Sequence, residues 1–371
     1  MTTQPSSDPT NPGASVIPPH VVRTVLGDID PADTGIALPH EHLLSDSSVW
    51  LQPARDATGV RLASQPITLD TLWWHRENPN TSRDVLVLDD VDLAVEELAH
   101  FSALGGATVV DLTPTGLGRN VLALVDISRR SGVHIVAGCG YYIAESHPPQ
   151  IAAADIDEIT QQIVQDIREG MDGTSVRAGI IGEIGTSHPL HPREGKVLRA
   201  AARAAVETGV AVSVHTAAHA ITSRSALEAV EVLTGEGLAT DRIVLGHMDT
   251  TLHRGAYHRE VLATGAWLEF DLFGHEFFES ENDFQSFGDT ETARAVATLV
   301  DEGFASQLLL SQDICYKIQL MRYGGYGYAH LLRNIKRRLE LWGVPQDVFF
   351  SMVVDNPRKV LTVPSLGVQA Q

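Results

Sequence analysis

The sequence has few cysteines, little positive charge and no long apolar run. Its 371 residues include two cysteines, Cys139 and Cys315, which are too few for a disulfide framework and fit a reducing cytoplasm. No apolar run approaches the roughly 18 residues of a membrane span. Lys and Arg number 27 against 47 Asp and Glu, and the net charge of −20 argues against nucleic-acid or membrane partners. We therefore expect a cytoplasmic protein that acts on a small molecule.

The first 20 residues differ in composition from the rest. The stretch MTTQPSSDPTNPGASVIPPH has neither the charged region nor the apolar region of a secretory signal. It is rich in Pro, Ser and Thr and lacks apolar periodicity, which predicts a disordered tail over 1–20. Residues 21–371 are predicted to form a single domain.

Eight short apolar segments alternate with amphipathic helical stretches along this domain. Each segment is rich in branched residues and nearly continuous, as expected for parallel strands buried on both faces. Eight such units predict an α/β fold, the (β/α)8 TIM barrel, with an open doubly wound sheet as the competing architecture. The predicted strands are 35–43, 107–113, 133–139, 178–184, 210–216, 242–248, 266–271 and 307–313. The clearest predicted helices are 90–106, 118–132, 155–170 and 195–209.

One connection, between the first strand and the first helix, is unusually long. Its residues 44–88 lack clear periodicity, and a long irregular insert is usually a functional loop or lid. The insert contains four aromatic or imidazole side chains, which would either pack over the barrel rim or contact a substrate. They are Trp50, Trp73, Trp74 and His75.

Polar side chains stand at the ends of five predicted strands, where a TIM barrel builds its active site. His40 and His42 lie two apart and face the same way, whereas Glu41 between them points toward the helices. Polar groups buried there are costly unless they are paired or bind metal. A lone His or Asp in such a place is more often a hydrogen-bonded core residue, but six on five strand ends favour a metal site. The six are His40, His42, Glu183, His215, His247 and Asp313.

Four imidazoles and two carboxylates match the ligands that Zn²⁺ and similar divalent ions accept. Three protein ligands suffice for one catalytic zinc, so six argue for two ions that share a carboxylate and activate a water. We expect Zn²⁺, with Mn²⁺, Co²⁺ or Fe²⁺ as alternatives. Asp313 would accept the proton of the attacking water and return it to the leaving group. No GxSxG elbow and no complete nucleotide-binding glycine motif supports a different chemistry.

Several motifs, in order, resemble those of the phosphotriesterase family of metal-dependent barrels, within the amidohydrolase superfamily. They are LPHEHLLSD, DLTPTGLGRN, GCGYY followed by HP, GEIGTS, VSVHT, LGHMD, and LLLSQDICYK followed by YGGYGY, within residues 20–365. The resemblance implies His40, His42 and Asp313 on the more buried ion, and His215 and His247 on the second. It also implies a homodimer, because barrels of this family often pair, with exposed aromatics of the insert as a candidate contact.

The fourth strand departs from the pattern of the phosphotriesterases themselves, whose metals are bridged by a carboxylated lysine. Here the strand reads AGIIGEIGTS and contains no lysine, so Glu183 is expected to be the bridge and to take part in catalysis. This departure resembles the phosphotriesterase homology protein branch and argues against efficient organophosphate hydrolysis. Gly182 and Gly185 would either let the strand approach the metals or only relieve crowding.

Residues after the strand ends are candidates for substrate contact. Tyr141 and Tyr142 follow the third strand, and a tyrosine near this position contacts the substrate in the lactone-hydrolysing relatives; otherwise the pair forms an aromatic rim. Lys317 and Arg254 would hold an anionic group of the substrate or lie in surface ion pairs. Asp249 is expected to hydrogen-bond a metal-binding histidine.

These observations predict a hydrolase with a binuclear metal centre that acts on a carboxylic ester, with a lactone favoured. The first alternative keeps the site but changes the bond to an amide or a phosphoester. The second is a metal-containing barrel that binds a ligand without turnover.

Overall fold

A sheet of eight parallel strands, hydrogen-bonded in chain order, forms the centre of the structure. The computed structural model describes residues 20–220, 222–280 and 282–365. Each strand falls on one of the eight predicted segments, and the predicted TIM barrel is confirmed. The strands are β1 (Ile36–Glu41), β2 (Gly106–Asp111), β3 (His134–Cys139), β4 (Ile180–Gly185), β5 (Val212–His215), β6 (Ile243–Leu245), β7 (Trp267–Phe270) and β8 (Leu308–Leu310).

Helices connect the strands and cover the outside of the barrel. They are α1 (Val91–Ser102), α2 (Val121–Ser131), α3 (Ile156–Arg168), α4 (Pro192–Thr208), α5 (Ser225–Gly235), α6 (Gly255–Leu262), α7 (Asp289–Asp301) and α8 (Lys336–Leu341). Shorter segments are Pro149–Ala153, Gln346–Phe350 and Asn356–Leu361, with π-helical turns at Leu331–Ile335 and Ser351–Asp355. Within the described ranges, no helix is long and apolar enough to cross a membrane.

A few separate hydrogen bonds, rather than a regular ladder, close the barrel between β8 and β1. The backbone N–H of Asp313 donates to the carbonyl of His40 at 3.1 Å. The Ser311 hydroxyl oxygen lies 2.8 Å from the same carbonyl oxygen and accepts from the His40 N–H at 3.1 Å. Two of the predicted metal ligands are therefore fixed to each other through the backbone at this seam.

Glu41, the residue between the two histidines of β1, completes the seam. Its buried carboxyl accepts from the Ser311 hydroxyl at 2.8 Å and from the backbone N–H groups of Gln312 and Ile314, each at 2.9 Å. Burial raises the pKa of Glu41 to about 8, although these hydrogen bonds act in the opposite direction. Glu41 thus fixes the backbone of the segment that contains Asp313.

A small antiparallel sheet covers the end of the barrel opposite the predicted site. Its strands are His20–Thr24, Gly27–Ile29 and Thr362–Pro364. Arg23 is buried beneath it and donates to the carbonyls of Ile167 and Ala178 at 3.2 and 3.3 Å. The sequence did not predict this sheet. The tail predicted over 1–20 lies outside the described residues, except for His20, which already belongs to a strand.

The insert at 44–88 is folded, in contrast to the irregular segment that its sequence suggests. It contains the helices Ala57–Ala63, Leu69–Glu77 and Arg83–Leu86, and Ser45–Asp46 pairs with Val87–Leu88. Leu86 packs in one apolar cluster with Phe277 and Tyr316, which follow β7 and β8. The insert therefore covers part of the barrel mouth. Trp74 and His75 are buried, Trp50 is half-buried and Trp73 is exposed.

Replacing Glu41 by alanine tests its role at the seam. We expect the free energy of unfolding to fall by about 3 kcal/mol, because two backbone N–H groups and a hydroxyl lose their buried acceptor. Urea unfolding followed by circular dichroism measures this, with Glu96→Ala as the control, since Glu96 is an exposed residue that pairs with Arg322 at the surface. Equal losses in the two variants would contradict the assignment.

Candidate metal centre

The six predicted ligands meet at the carboxyl-terminal mouth of the barrel. They form two groups, and within each group the potential ligand atoms lie within 4.8 Å of one another. The first group is His40, His42 and Asp313; the second is Glu183, His215 and His247. This division is the one that the family resemblance implies.

Glu183 lies between the two groups. Its Oε1 is 3.3 Å from Nε2 of His42, and its Oε2 is 3.0 Å from Nδ1 of His215 and 3.6 Å from Nε2 of His247. The carboxylate therefore presents one oxygen to a histidine of the first group and the other oxygen to the second group. The geometry suits a bridging ligand.

Irregularities of the backbone direct the side chains of several predicted ligands toward one another. The pairing of β4 with β5 shifts register between Ile181 and Ile184, which places a β-bulge at Glu183. Gly182 in this bulge has φ +146°, and a Cβ there would meet the carbonyl oxygen of Ser213 at 2.7 Å. The glycine therefore relieves crowding between β4 and β5, which is one of the two roles that the sequence left open.

Two further ligands have left-handed backbone, which is uncommon for residues other than glycine. The φ angle is 58° at His247 and 42° at Asp313. Asp313 places its Oδ1 3.2 Å from Nε2 of His42 and 3.9 Å from Nε2 of His40. Such strained positions concentrate at functional sites, where the surrounding contacts hold them.

The donor set fits divalent metal ions. Nε2 of His40 and Oδ1 of Asp313 are buried and have no hydrogen-bond partner in the described part of the chain. Facing imidazole nitrogens and carboxylate oxygens lie 3.0 to 3.9 Å apart. Two ligand atoms of a tetrahedral ion with bonds of about 2.0 Å are separated by roughly 3.3 Å, which falls within this range. Buried atoms without partners are costly, and a cation at each group would satisfy them.

The electrostatics of the cluster also favour bound cations. Burial disfavours a charged imidazole, but Asp313 and Glu183 outweigh this effect and raise the pKa of His42 to about 10. Burial likewise opposes a charged Glu183, yet hydrogen bonds from His215 and its neighbours hold the pKa of this carboxyl well below its usual range. The carboxylates thus favour the protonated form of His42 wherever no metal neutralises them. Because ligating imidazoles must be neutral, metal uptake is expected to release protons.

Asp271, at the end of β7, orients two of the histidines. This residue was not identified from the sequence. Its carboxylate lies 3.0 Å from Nδ1 of His247 and 3.0 Å from Nδ1 of His40, and it also accepts from the His247 N–H at 2.9 Å. Contacts at Nδ1 leave Nε2 of both rings for a metal. The signal was present, because the run AWLEFD ends in an acid as the fourth strand does.

Asp249, expected to contact a metal-binding histidine, supports Asp271 instead. Its Oδ2 accepts from the backbone N–H groups of Asp271 at 2.8 Å and Leu272 at 3.3 Å. The chain leaves β6 through the left-handed turn at His247, so Asp249 no longer follows the alternation of a strand. Asp249 therefore fixes the backbone of Asp271, whose carboxylate contacts the two histidines.

A cavity opens above the two groups. Apolar and aromatic side chains form much of its wall: Trp50, Leu117, Tyr142, Leu272, Phe284 and Tyr316. The Tyr142 hydroxyl lies 3.2 Å from Nε2 of His215 and accepts from Nε1 of Trp50 at 3.3 Å. Of the four predicted substrate contacts, Tyr142 lies in this cavity. Cys315 also lines it.

The other three predicted substrate contacts lie elsewhere. Tyr141 faces a separate groove with Arg119, because adjacent residues of an extended chain point opposite ways. Lys317 forms an ion pair with Asp84 at 2.8 Å. Arg254 lies over the ring of Tyr257, 4.3 Å from its centroid. The structure therefore does not bring Tyr141, Lys317 or Arg254 to the cavity. Lys317 is in an ion pair, as the alternative interpretation expected, whereas Arg254 packs on the buried ring of Tyr257.

Comparisons with known proteins agree with the fold and show the family to which the chain belongs. The sequence model of the phosphotriesterase family matches residues 20–361. A Mus musculus protein named N-acetyltaurine hydrolase is 35% identical over 344 residues, which cover 92% of this chain and 97% of that protein. A resiniferatoxin-binding protein from Rhodobacter sphaeroides has a similar structure, with a TM-score of 0.90, 38% identity, and coverage of 92% and 94%. A lactonase from Listeria monocytogenes has a TM-score of 0.75, 27% identity, and coverage of 93% and 100%.

Removing both β1 histidines tests the metal centre. The double variant His40→Ala, His42→Ala should lose bound metal, because two of the three ligands of one group are gone. Elemental analysis of the purified protein measures this. The exposed residue His253 provides the control, since His253→Ala should keep the metal content of the parent protein. Unchanged metal content in the double variant would contradict the ligand assignment.

Asp271→Asn tests the orienting contact. Metal affinity should fall by about 10- to 100-fold, as is typical when the carboxylate behind a ligating histidine is removed. Competition with a chromophoric chelator measures the affinity. Asp172, an acid at the surface that pairs with Arg119, supplies the matched variant Asp172→Asn, which should leave the affinity unchanged. A similar affinity in all three proteins would show that Asp271 has no such role.

Proposed function

The chain belongs to the phosphotriesterase family of metal-dependent hydrolases, and from that premise we propose a binuclear hydrolase of carboxylic acid derivatives. The observation that carries the proposal is the pair of ligand groups with Glu183 between them, beneath an accessible cavity. An amide is the first candidate bond and a lactone the second.

Each ligand has a proposed place in the centre. His40, His42 and Asp313 would hold one ion, His215 and His247 the other, and Glu183 both. When bound, divalent ions lower the pKa of water and polarise the carbonyl oxygen of a substrate. Zn²⁺ is the proposed metal, with Mn²⁺, Co²⁺ and Fe²⁺ as alternatives, since all accept imidazole and carboxylate ligands.

The chain's own residues supply proton transfer and orientation. The buried Oδ1 of Asp313 would accept the proton of the attacking water and return it to the leaving group. The Tyr142 hydroxyl, held by Trp50 and next to His215, would contact the substrate beside the reacting centre. Apolar side chains of the cavity would reduce the water around the bond.

The names of the relatives and the residue at the end of the fourth strand together favour one type of scissile bond. Relatives about 35% identical and nearly equal in length are named N-acetyltaurine hydrolase, which favours an amide over the lactone that the sequence favoured. The lactonase from Listeria monocytogenes keeps the lactone as the second candidate. Glu183 in place of a carboxylated lysine argues against aryl phosphotriesters.

The assembly and location of the protein also remain proposals. Leu69 and Trp73, four residues apart on one helix of the insert, are 89% and 62% exposed. Exposed apolar side chains in such proximity suit a protein contact, which supports a homodimer. A cytoplasmic location remains a prediction from the cysteine content.

A substrate panel tests the function. The metal-loaded protein should hydrolyse N-acetyl amines or lactones with a higher kcat/KM than aryl phosphotriesters. Asp313→Asn should lower kcat by about 100-fold or more, because the proton acceptor is lost. Metal analysis must accompany each assay. Full metal occupancy without turnover of any substrate would overturn the proposal and favour a barrel that only binds its ligand.

A further inference from the structure

Among the described residues that line the cavity, one carboxylate lies outside the six proposed ligands, and it belongs to Glu279. We propose that Glu279 is a specificity subsite that binds a cationic group of the substrate, such as a primary ammonium, at the end remote from the scissile bond. This inference rests on the proposed function, because it concerns the same cavity. It also separates this chain from a hydrolase selective for an anionic substrate.

Neighbouring side chains hold the Glu279 carboxylate in place through one of its oxygens. Oε2 accepts from Nδ2 of Asn80 at 3.0 Å and from Nδ2 of Asn282 at 2.8 Å, and it lies 2.9 Å from Nε2 of His219. The Tyr316 hydroxyl fixes Asn80 in turn, donating to its Oδ1 at 3.0 Å. Among the described residues, none donates to Oε1 of Glu279, so that oxygen is available to a ligand.

The group is ionised although it is buried. Burial would raise the pKa of Glu279, but hydrogen bonds from His219 and Asn282 hold it below its usual range. Glu279 lies in the short hairpin formed by Phe278–Glu279 and Phe284–Gln285, between β7 and α7. Its contact with Asn80 joins this hairpin to the insert. The carboxylate is therefore fixed before a ligand arrives, which lowers the cost of binding.

Positive charge is scarce around this subsite. Among the described residues that line the cavity, none is a lysine or an arginine. His219 is already paired with Glu279, and Nε2 of His275 is within 2.8 Å of the carbonyl of Asp313. An anion placed here would lose water and face a carboxylate without a free cationic partner, which is unfavourable. A cation would gain a charge-assisted hydrogen bond.

A row of rings connects the metal centre to the subsite. The ring of Tyr142 lies 4.7 Å from that of His215, Trp50 lies 6.2 Å from Tyr142, and His219 lies 5.8 Å from Trp50. A short hydrocarbon spacer would pass along this wall, and aromatic faces attract cations. Substrates with an acyl group at the metals and an ammonium a few atoms away therefore suit the cavity.

A matched series of ligands isolates the charge. N-Acetylethylenediamine, N-acetylethanolamine and N-acetyltaurine share one acetamidoethyl skeleton and end in an ammonium, a hydroxyl and a sulfonate. On the metal-loaded protein at neutral pH, calorimetry gives a dissociation constant for each compound that is not hydrolysed, and the KM supplies the comparison for each compound that is. We expect the ammonium compound to bind about 10-fold more tightly than the hydroxyl compound, as one charge-assisted hydrogen bond provides. The sulfonate should bind most weakly.

Variants of the hairpin assign the preference to one side chain. Glu279→Gln should remove the preference for the ammonium compound. Glu279→Asp should retain this preference but make it smaller. Asp283→Asn is the matched control, because Asp283 lies in the turn of the same hairpin with its side chain 85% exposed. It should leave the series unchanged. Circular dichroism and metal content establish that each variant is folded and loaded.

The outcomes separate the two proposals. The expected binding order without hydrolysis would support the subsite and count against the amide hydrolase. Hydrolysis with the sulfonate bound as tightly as the ammonium would support the hydrolase and overturn the subsite. Failure of the ammonium compound to bind the loaded protein, or an unchanged preference in folded Glu279→Gln, would also overturn the subsite.

Discussion

The contact on which the site depends is the Glu183 carboxylate between two groups of buried imidazoles. A carboxylate buried at a barrel mouth is unfavourable unless cations surround it, and this one has histidines on both sides. The bulge in β4, the glycine before Glu183 and the left-handed turns at His247 and Asp313 all aim donor atoms at the same small volume. Asp271 contacts His247 from behind the site, and Glu41 fixes the backbone of the segment that carries Asp313.

The sequence predicted the parts of the structure that follow from local pattern. The eight strands are continuous apolar runs, and His40, His42, Glu183, His215, His247 and Asp313 stand out because each is polar at the end of such a run. Asp271 obeys the same rule, yet it was missed because it orients ligands instead of belonging to the predicted ligand set. The amino-terminal sheet was also missed, since its first strand pairs with residues more than 300 positions away, at Thr362–Pro364.

Substrate contacts were harder to predict, because loops decide them. Tyr141 and Tyr142 are adjacent and similar, but one faces the cavity and the other a separate groove. Lys317 and Arg254 are close to strand ends in sequence, but their side chains contact Asp84 and the ring of Tyr257 outside the cavity. Glu279 lines the cavity in a hairpin that Asn80, from a distant insert, helps to hold in place. Such pairs of loops carry no periodic signal, and they are also where this chain would differ in substrate from its relatives.

An anomalous-scattering map from a crystal of the metal-loaded protein tests the central claim most directly. The account predicts two peaks at the barrel mouth, about 3.5–4 Å apart, with one oxygen of Glu183 bound to each. A single peak, or a second ion that does not contact Glu183, would contradict it.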